Sequence, residues 1–149
     1  MRAVVQRIKN GTVAIKGRIK GQIAKGLLVY LGVGKSDDYK DVHYLVDKVI
    51  NLRIFEDKEG KMNISLKQIG GQILVISQFT LYGDVRKGRR PSYSNAAVPI
   101  TAEKLYKQFI LELQKQGFVV ASGEFGAMMD VSYTNYGPVT ILLDSEKIF

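Results

Sequence analysis

Leu27-Leu28-Val29-Tyr30-Leu31 is apolar at every position and flanked by glycine at Gly26 and Gly32. An amphipathic helix would repeat its apolar residues every 3.6 positions and a half-exposed strand every second one. A short unbroken run instead suits a strand covered on both faces. Ile73-Leu74-Val75-Ile76 repeats the signature. Between the two runs, Val42, Leu45, Val46, Val49 and Ile50 recur at helical spacing, which predicts a helix with one buried stripe. Ser36 is expected to cap that helix, with Asp37 and Asp38 complementing its positive N-terminal end.

Outward from this centre the chain alternates short apolar runs with turn residues. Ala3 to Ile8 and Thr12 to Ile15 are expected as strands joined by a hairpin at Asn10-Gly11, and Gly21 to Ala24 as a further short strand. Glu56, Asp57 and Glu59 surround Gly60 in what reads as a solvated hairpin turn. A second helix is expected from near Thr101 to Gly117, with Leu105, Phe109 and Leu113 four apart and Tyr106 and Ile110 beside them. Met128 to Thr134 and Val139 to Asp144 return to strand patterns, joined by a turn through Asn135-Tyr136-Gly137-Pro138 with a trans peptide bond. Many strands and two main helices predict an α/β fold of mixed α+β character, its mixed sheet covered by helices on one side. No repeat, linker or low-complexity stretch interrupts residues 1–149, so one domain is expected.

Composition narrows the function. The formal charge of +8, from 22 Lys and Arg against 14 Asp and Glu, favours encounter with a polyanion without identifying one. The absence of cysteine excludes disulfides, thiolate nucleophiles and thiolate metal sites. Met1-Arg2-Ala3-Val4-Val5-Gln6 lacks the apolar run of a signal peptide, and no stretch approaches the ~20 apolar residues that span a bilayer. A cytoplasmic protein without a membrane partner is expected.

Several chemistries lack their residues. His43 is the sole histidine and falls within the first helix pattern, where a solvated histidine is a better account than a metal ligand, and a Ser-His-Asp triad would have to use that same residue. Gly32-Val33-Gly34-Lys35 lacks the spacing of a phosphate-binding loop, and the acids that follow would repel a phosphate. Ser77-Gln78-Phe79-Thr80-Leu81 is different, because a buried strand runs directly into hydroxyls, an amide and a ring, where a rigid element can position them. Arg86, Lys87, Arg89 and Arg90 follow in a loop with Tyr93 nearby, a combination able to grip phosphate and stack a base. Gly137-Pro138 interrupts a strand pattern where proline has no N–H to donate, so the chain must turn or bulge there.

Taken in order, these segments resemble the D-aminoacyl-tRNA deacylase family, also called D-tyrosyl-tRNA deacylases, whose hallmark motifs read SQFTL and NxGPVT. Both stand intact at Ser77 to Leu81 and Asn135 to Thr140. Similarity continues through Gln6-Arg7, Gly26 to Val29, Arg53 to Phe55, Gly60 to Asn63, Arg89 to Ser92 and Phe125 to Met129. Tyr136 departs from the pattern, since the family commonly has Asp before the Gly-Pro.

The resemblance implies largely antiparallel sheets in a three-layer β/β/α arrangement, and hydrolysis of the ester bond of D-aminoacyl-tRNA without metal or cofactor. It implies a homodimer in which each subunit inserts a cis Gly137-Pro138 into its partner's site, as a wall against L-amino acids that would still admit glycine. Ser77, Gln78, Phe79 and Thr80 would surround the scissile ester, with Ala102, Phe125 and Met129 bordering the terminal adenosine. Two mechanisms compete: attack by the Thr80 hydroxyl to form an acyl-enzyme, or water attack assisted by the terminal ribose 2′-OH, with backbone donors holding the oxyanion. The lack of a histidine or cysteine beside Thr80 favours the second. A non-catalytic RNA-binding protein is the alternative from another class, and an obligate dimer with a purely structural role is a third.

Overall fold

Residues 1–148 are described by a computed structural model. In chain order the elements are β1 (Arg2–Ile15), β2 (Arg18–Ile23), β3 (Gly26–Gly32), α1 (Tyr39–Asn51), β4 (Phe55–Glu56), β5 (Met62–Ile64), the single turn α2 (Leu66–Ile69), β6 (Gln72–Ser77), a 3-10 turn (Phe79–Tyr82), α3 (Pro99–Lys115), β7 (Val120–Ser122) and β8 (Asp130–Asp144). Among the described residues no helix is long and apolar enough to cross a membrane.

The two apolar runs are neighbours. β3 and β6 pair in parallel, from Leu27 beside Ile73 to Leu31 beside Ser77, with α1 lying in the crossover that parallel pairing requires. Their alternate side chains enter two cores: Leu27, Val29, Ile73 and Val75 face the helices, whereas Leu28, Leu74 and Ile76 face a second apolar layer. Burial on both faces is why the runs show no polar alternation. The stripe Val42, Leu45, Val46, Val49 and Ile50 of α1 and the stripe Leu105, Tyr106, Phe109 and Leu113 of α3 close the first core.

The cap of α1 is Asp38, not Ser36. The Asp38 carboxylate accepts from the Lys40 N–H at 2.6 Å, and the Asp41 carboxylate accepts from the Asp38 N–H at 2.8 Å, a reciprocal box that fixes the helix start. Ser36 instead donates to Glu146 at 3.2 Å. Asp37 is buried, accepting from the Met1 ammonium at 2.6 Å and from the Gly34 N–H at 2.5 Å, so its charge serves the tertiary fold more than the helix dipole.

The N-terminal hairpin also differs from expectation. β1 runs straight through Asn10-Gly11, and the chain reverses at Lys16-Gly17, where both residues have positive φ (50° and 75°), as a tight two-residue hairpin loop demands. Accordingly β2 starts at Arg18 and not at Gly21. What Gly11 supplies is space at a bend: a Cβ there would come within 2.9 Å of Ile8 Cδ1 and 3.3 Å of Leu74 Cδ2. The first half of β1 pairs with β3 and the second half with β2, while β8 follows its other edge with register shifts between Gln6 and Gly11. This bend folds β2 and the adjoining halves of β1 and β8 over β3 and β6. Ile8, Val13 and Ile23 thereby meet Leu28, Leu74 and Ile76, with Met129 and Val131 packed alongside. The result is the β/β/α layering, with α1 and α3 on one side.

At the C-terminus one long strand replaces the expected pair. Ile8 stands opposite Asn135 and Gln6 opposite Thr140, so Tyr136-Gly137-Pro138-Val139 bulge out across from Arg7 alone. The Gly137-Pro138 bond is cis, not trans. Among the described strands β8 pairs only with β1, so its outer edge has no ladder bond for the proline to break.

Candidate active site

The SQFTL segment is placed by the end of β6. The Gln78 N–H donates to the Leu31 carbonyl at 2.8 Å, the last tie to β3, and the chain then closes the 3-10 turn through Leu81 N–H to Gln78 O at 3.3 Å. Phe79 and Thr80 open this turn, where helical geometry leaves N–H groups without an internal acceptor. The Gln78 amide N–H donates to the Thr80 hydroxyl oxygen. An amide donor cannot take a proton, so among the described residues Thr80 has no base as a hydrogen-bond partner. Phe79 is 56% exposed and meets Tyr93 edge to face, ring centroids 4.9 Å apart.

Behind the turn stands a group of residues that motif reading missed. Arg2 donates to the Leu81 carbonyl at 3.1 Å, lies 4.5 Å over the Tyr82 ring and pairs with the buried Asp144 at 3.0 Å. Burial and the nearby Asp37 charge raise the Tyr82 phenol above its ordinary pKa, which keeps it protonated. Arg2 carried no local signal, being one polar residue at the start of a strand. Only the return of β8 brings Asp144 to it.

Ala102 and Phe125 lie on the helix side of β6, linked through Tyr106. Ala102 is buried one turn before Tyr106 on α3, and Phe125 packs 5.9 Å from the Tyr106 ring. The Tyr106 hydroxyl donates at 2.9 Å to the carbonyl of Val75, two residues before Ser77, and burial lifts its pKa to about 12. Tyr106, Ser122, Gly123 and Phe125 line a cavity of about 490 Å³, with Lys20 and Lys107 among its polar walls. Tyr106 was legible only as a core position, since helical spacing cannot reveal where a hydroxyl ends. Met129 packs against the second core and lies beside Gly123, which lines the same cavity as Phe125.

The basic loop is less free than its composition suggested. Arg86 is spent on Asp84, with Nε and Nη2 at 2.9 and 2.6 Å, and the guanidinium holds that carboxyl down at about pKa 2. Lys87, Arg89 and Arg90 remain exposed, and no ion pair involves them among the described residues. His43 lies exposed on α1.

The Gly-Pro bulge is clamped from inside. Arg7, 3% exposed, donates from Nε to the Tyr136 carbonyl at 2.9 Å and from Nη1 to the Ile54 carbonyl at 2.7 Å. The Arg7 guanidinium and Lys9 Nζ lie 4.9 and 4.6 Å from the centre of the Tyr136 ring. Tyr136 therefore meets these cations through its ring face. Asn135 braces the other end, accepting from the Val139 N–H at 3.1 Å and donating to the Thr140 hydroxyl at 3.2 Å, which Gln6 also reaches at 3.1 Å. Gly137 has φ +131°, and a Cβ there would come within 2.7 Å of Arg7 Nη2, so a larger residue would be strained and would push against the clamp. Gly137 and Pro138 themselves are exposed.

Within one chain the two motifs stay apart. Ser77 is in register with Leu31, Ala3 and Leu143, whereas Arg7, opposite the bulge, is in register with Leu27 and Ile73. Four residues along the strands and three strand spacings across amount to roughly 20 Å.

The D-Tyr-tRNA(Tyr) deacylase family matches residues 4–144 of this chain. The chain belongs to that family. It is 58% identical over 149 residues to the D-aminoacyl-tRNA deacylase of Thermosipho africanus and 57% identical over 149 residues to that of Clostridioides difficile, each match covering 100% of both chains. Among solved structures, a c-Myc DNA unwinding element binding protein superposes with a TM-score of 0.92 at 38% identity, covering 97% of this chain and 98% of the other. A probable eukaryotic D-amino acid tRNA deacylase shares the fold at a TM-score of 0.82 and 18% identity, covering 95% of this chain and 97% of that one. As a member of this family the deacylase is an enzyme that hydrolyses the ester linking a D-amino acid to tRNA.

Proposed function

We propose that the deacylase is a chiral proofreader that clears D-aminoacyl-tRNA and spares the L-form. In this reading it acts in the cytoplasm as a homodimer of one-domain subunits, residues 1–149 each. The observation that carries the reading is the roughly 20 Å between the SQFTL turn and an exposed Gly137-Pro138. A rigid, outward-presented bulge that cannot reach its own chain's turn is suited to a partner's. There the backbone of Gly137 and Pro138 would stand against the substrate's α-carbon, leaving room for hydrogen but not for the side chain of an L-amino acid. Glycine would pass for the same reason.

In the site, the N–H groups of Phe79 and Thr80 would bind the ester carbonyl and hold the negative charge that develops on its oxygen, while Ser77 and Gln78 shape the pocket. Water attacks the carbonyl carbon as the terminal ribose 2′-OH helps move its proton. The ester C–O bond then breaks, the ribose oxygen is protonated, and free D-amino acid and tRNA leave. Phe125, with Ala102 one turn from its partner Tyr106 and Met129 beside Gly123, would border the terminal adenosine. Lys87, Arg89 and Arg90 would meet the tRNA backbone beyond it, with Arg86 ordering their loop through Asp84.

The direct test compares release from D-Tyr-tRNA and L-Tyr-tRNA. Rapid release from the first alone is expected, and equal rates would remove the chiral role. Thr80→Ala separates the mechanisms. With water as nucleophile the hydroxyl contributes about one hydrogen bond, so kcat should fall by less than ~10-fold. With Thr80 as nucleophile the loss should be on the order of 10⁶.

A further inference from the structure

The positive charge of this enzyme is unevenly distributed. Residues 1–36 contain eight Lys and Arg and no Asp or Glu, while the remainder of the chain has fourteen of each, so the whole excess of +8 lies in the first quarter of the sequence. Two of the eight are used inside the protein: Arg2 on Asp144 and Leu81, Arg7 on Ile54 and Tyr136. Lys9 lies over Tyr136. Lys16, Arg18 and Lys20 remain together on the β1–β2 hairpin, all exposed.

The fold brings that hairpin to the cavity beside Phe125. β2 lies against β7 at Gly21, where a Cβ would come within 3.0 Å of the Ser122 carbonyl oxygen, so glycine permits the close approach. Lys20 is thereby set on the cavity wall opposite α3, which contributes Lys107. Acids are present as well. Lys20 is 3.8 Å from Glu124 with both side chains at least half exposed, and Lys107 pairs with Glu103 at 2.7 Å. Such solvated pairs are worth little and exchange readily for a phosphate. From Lys20 the hairpin continues through the 62% exposed Ile19 to Arg18 and Lys16 at its tip, with no carboxylate in its own sequence.

We infer that this hairpin is a binding track for the sugar-phosphate backbone of the tRNA 3′ end, Lys16, Arg18 and Lys20 holding the nucleotides that precede the terminal adenosine. The inference rests on the deacylase reading and on the cavity beside Phe125 receiving that adenosine. Phosphate contacts of this kind fix register without reading sequence. They suit an enzyme that must accept the common single-stranded end of many tRNAs.

The test measures hydrolysis of D-Tyr-tRNA and of 3′-O-D-tyrosyl-adenosine, which has the ester and the adenosine but no phosphate, by the intact parent and by K16E/R18E. The reversed pair should raise KM for the tRNA substrate at least about tenfold at low salt and make the dependence of log KM on log salt shallower by about 1.4, two single-strand phosphate contacts. Hydrolysis of the adenosine ester should keep the parent rate. The neutral pair K16Q/R18Q should shift the tRNA KM in the same direction by less. A parent-like KM and salt slope on tRNA would overturn the inference. So would an equal loss on both substrates, which would make the hairpin a support of the site and not a track. A parent that cleaves neither D-substrate would overturn the deacylase reading and this inference with it.

Discussion

Arg7→Ala should destabilise the deacylase by about 3–5 kcal/mol and erode discrimination between D- and L-aminoacyl-tRNA in the protein that still folds. The stability estimate follows from the two carbonyls that Arg7 satisfies. The Ile54 and Tyr136 oxygens accept at 2.7 and 2.9 Å from a guanidinium that is 3% exposed, and a hydrogen bond to a charged group contributes about 1.5–3 kcal/mol. Glu56 adds little, since it is 3.7 Å away and half exposed. The loss of discrimination follows from position, because Arg7 is the residue across from the bulge and the one that Gly137 is packed against. Arg7→Lys should not rescue either property: an ammonium lacks the two spaced nitrogens, Nε and Nη1, with which the planar guanidinium reaches the two carbonyls. Denaturant unfolding gives the stability change, and the ratio of release rates from D-Tyr-tRNA and L-Tyr-tRNA gives the selectivity. A destabilised enzyme with an unchanged ratio would mean that the bulge holds its shape without Arg7.

A D-tyrosyl-tRNA ending in 2′-deoxyadenosine should be nearly inert, with kcat lower by on the order of 10²–10⁴, the usual contribution of a positioned proton-transfer group. KM should scarcely change, because the adenosine and the backbone contacts remain. Thr80 has the Gln78 amide as its hydrogen-bonding neighbour, and the sole histidine, His43, lies exposed on α1. Among the described residues no acid or base hydrogen-bonds to Thr80, and in the proposed mechanism the substrate's own hydroxyl moves the proton. Undiminished turnover of the deoxy substrate, measured in a single-turnover experiment, would return the role of nucleophile to Thr80.

Features encoded in neighbouring residues are legible in the amino-acid sequence. The apolar runs of β3 and β6, the buried stripe of α1, the extent of α3 and the acidic turn at Gly60 all follow from patterns that short-range geometry imposes. Glycine and proline are harder, since each admits several explanations. Asn10-Gly11 has the composition of a hairpin turn but marks the bend at which β1 passes from one layer to the next, and the turn itself forms further along, at Lys16-Gly17. Asn135 to Pro138 likewise has the composition of a loop. It becomes a bulge because β1 pairs with β8 on both sides of it.

The candidate site divides along the same line. From the residues alone, Ser77 to Thr80 could be seen as reactive groups at the end of a rigid strand, and resemblance alone supplied a role for Gly137-Pro138. Neither source revealed that Arg2, Tyr82 and Asp37 back the Phe79–Tyr82 turn, that Arg86 is committed to Asp84, or that Tyr106 ties α3 to β6. Each of those contacts joins segments or atoms whose meeting depends on the path of the chain. By itself the sequence determined the class of fold, the two motifs and the family, because periodicity and motif spacing are local properties. Tertiary structure alone decided which end of the sheet each motif occupies and that roughly 20 Å separates them. That separation is a consequence of strand register, set jointly by β6, β3, β1 and β8 and contained in none of them singly.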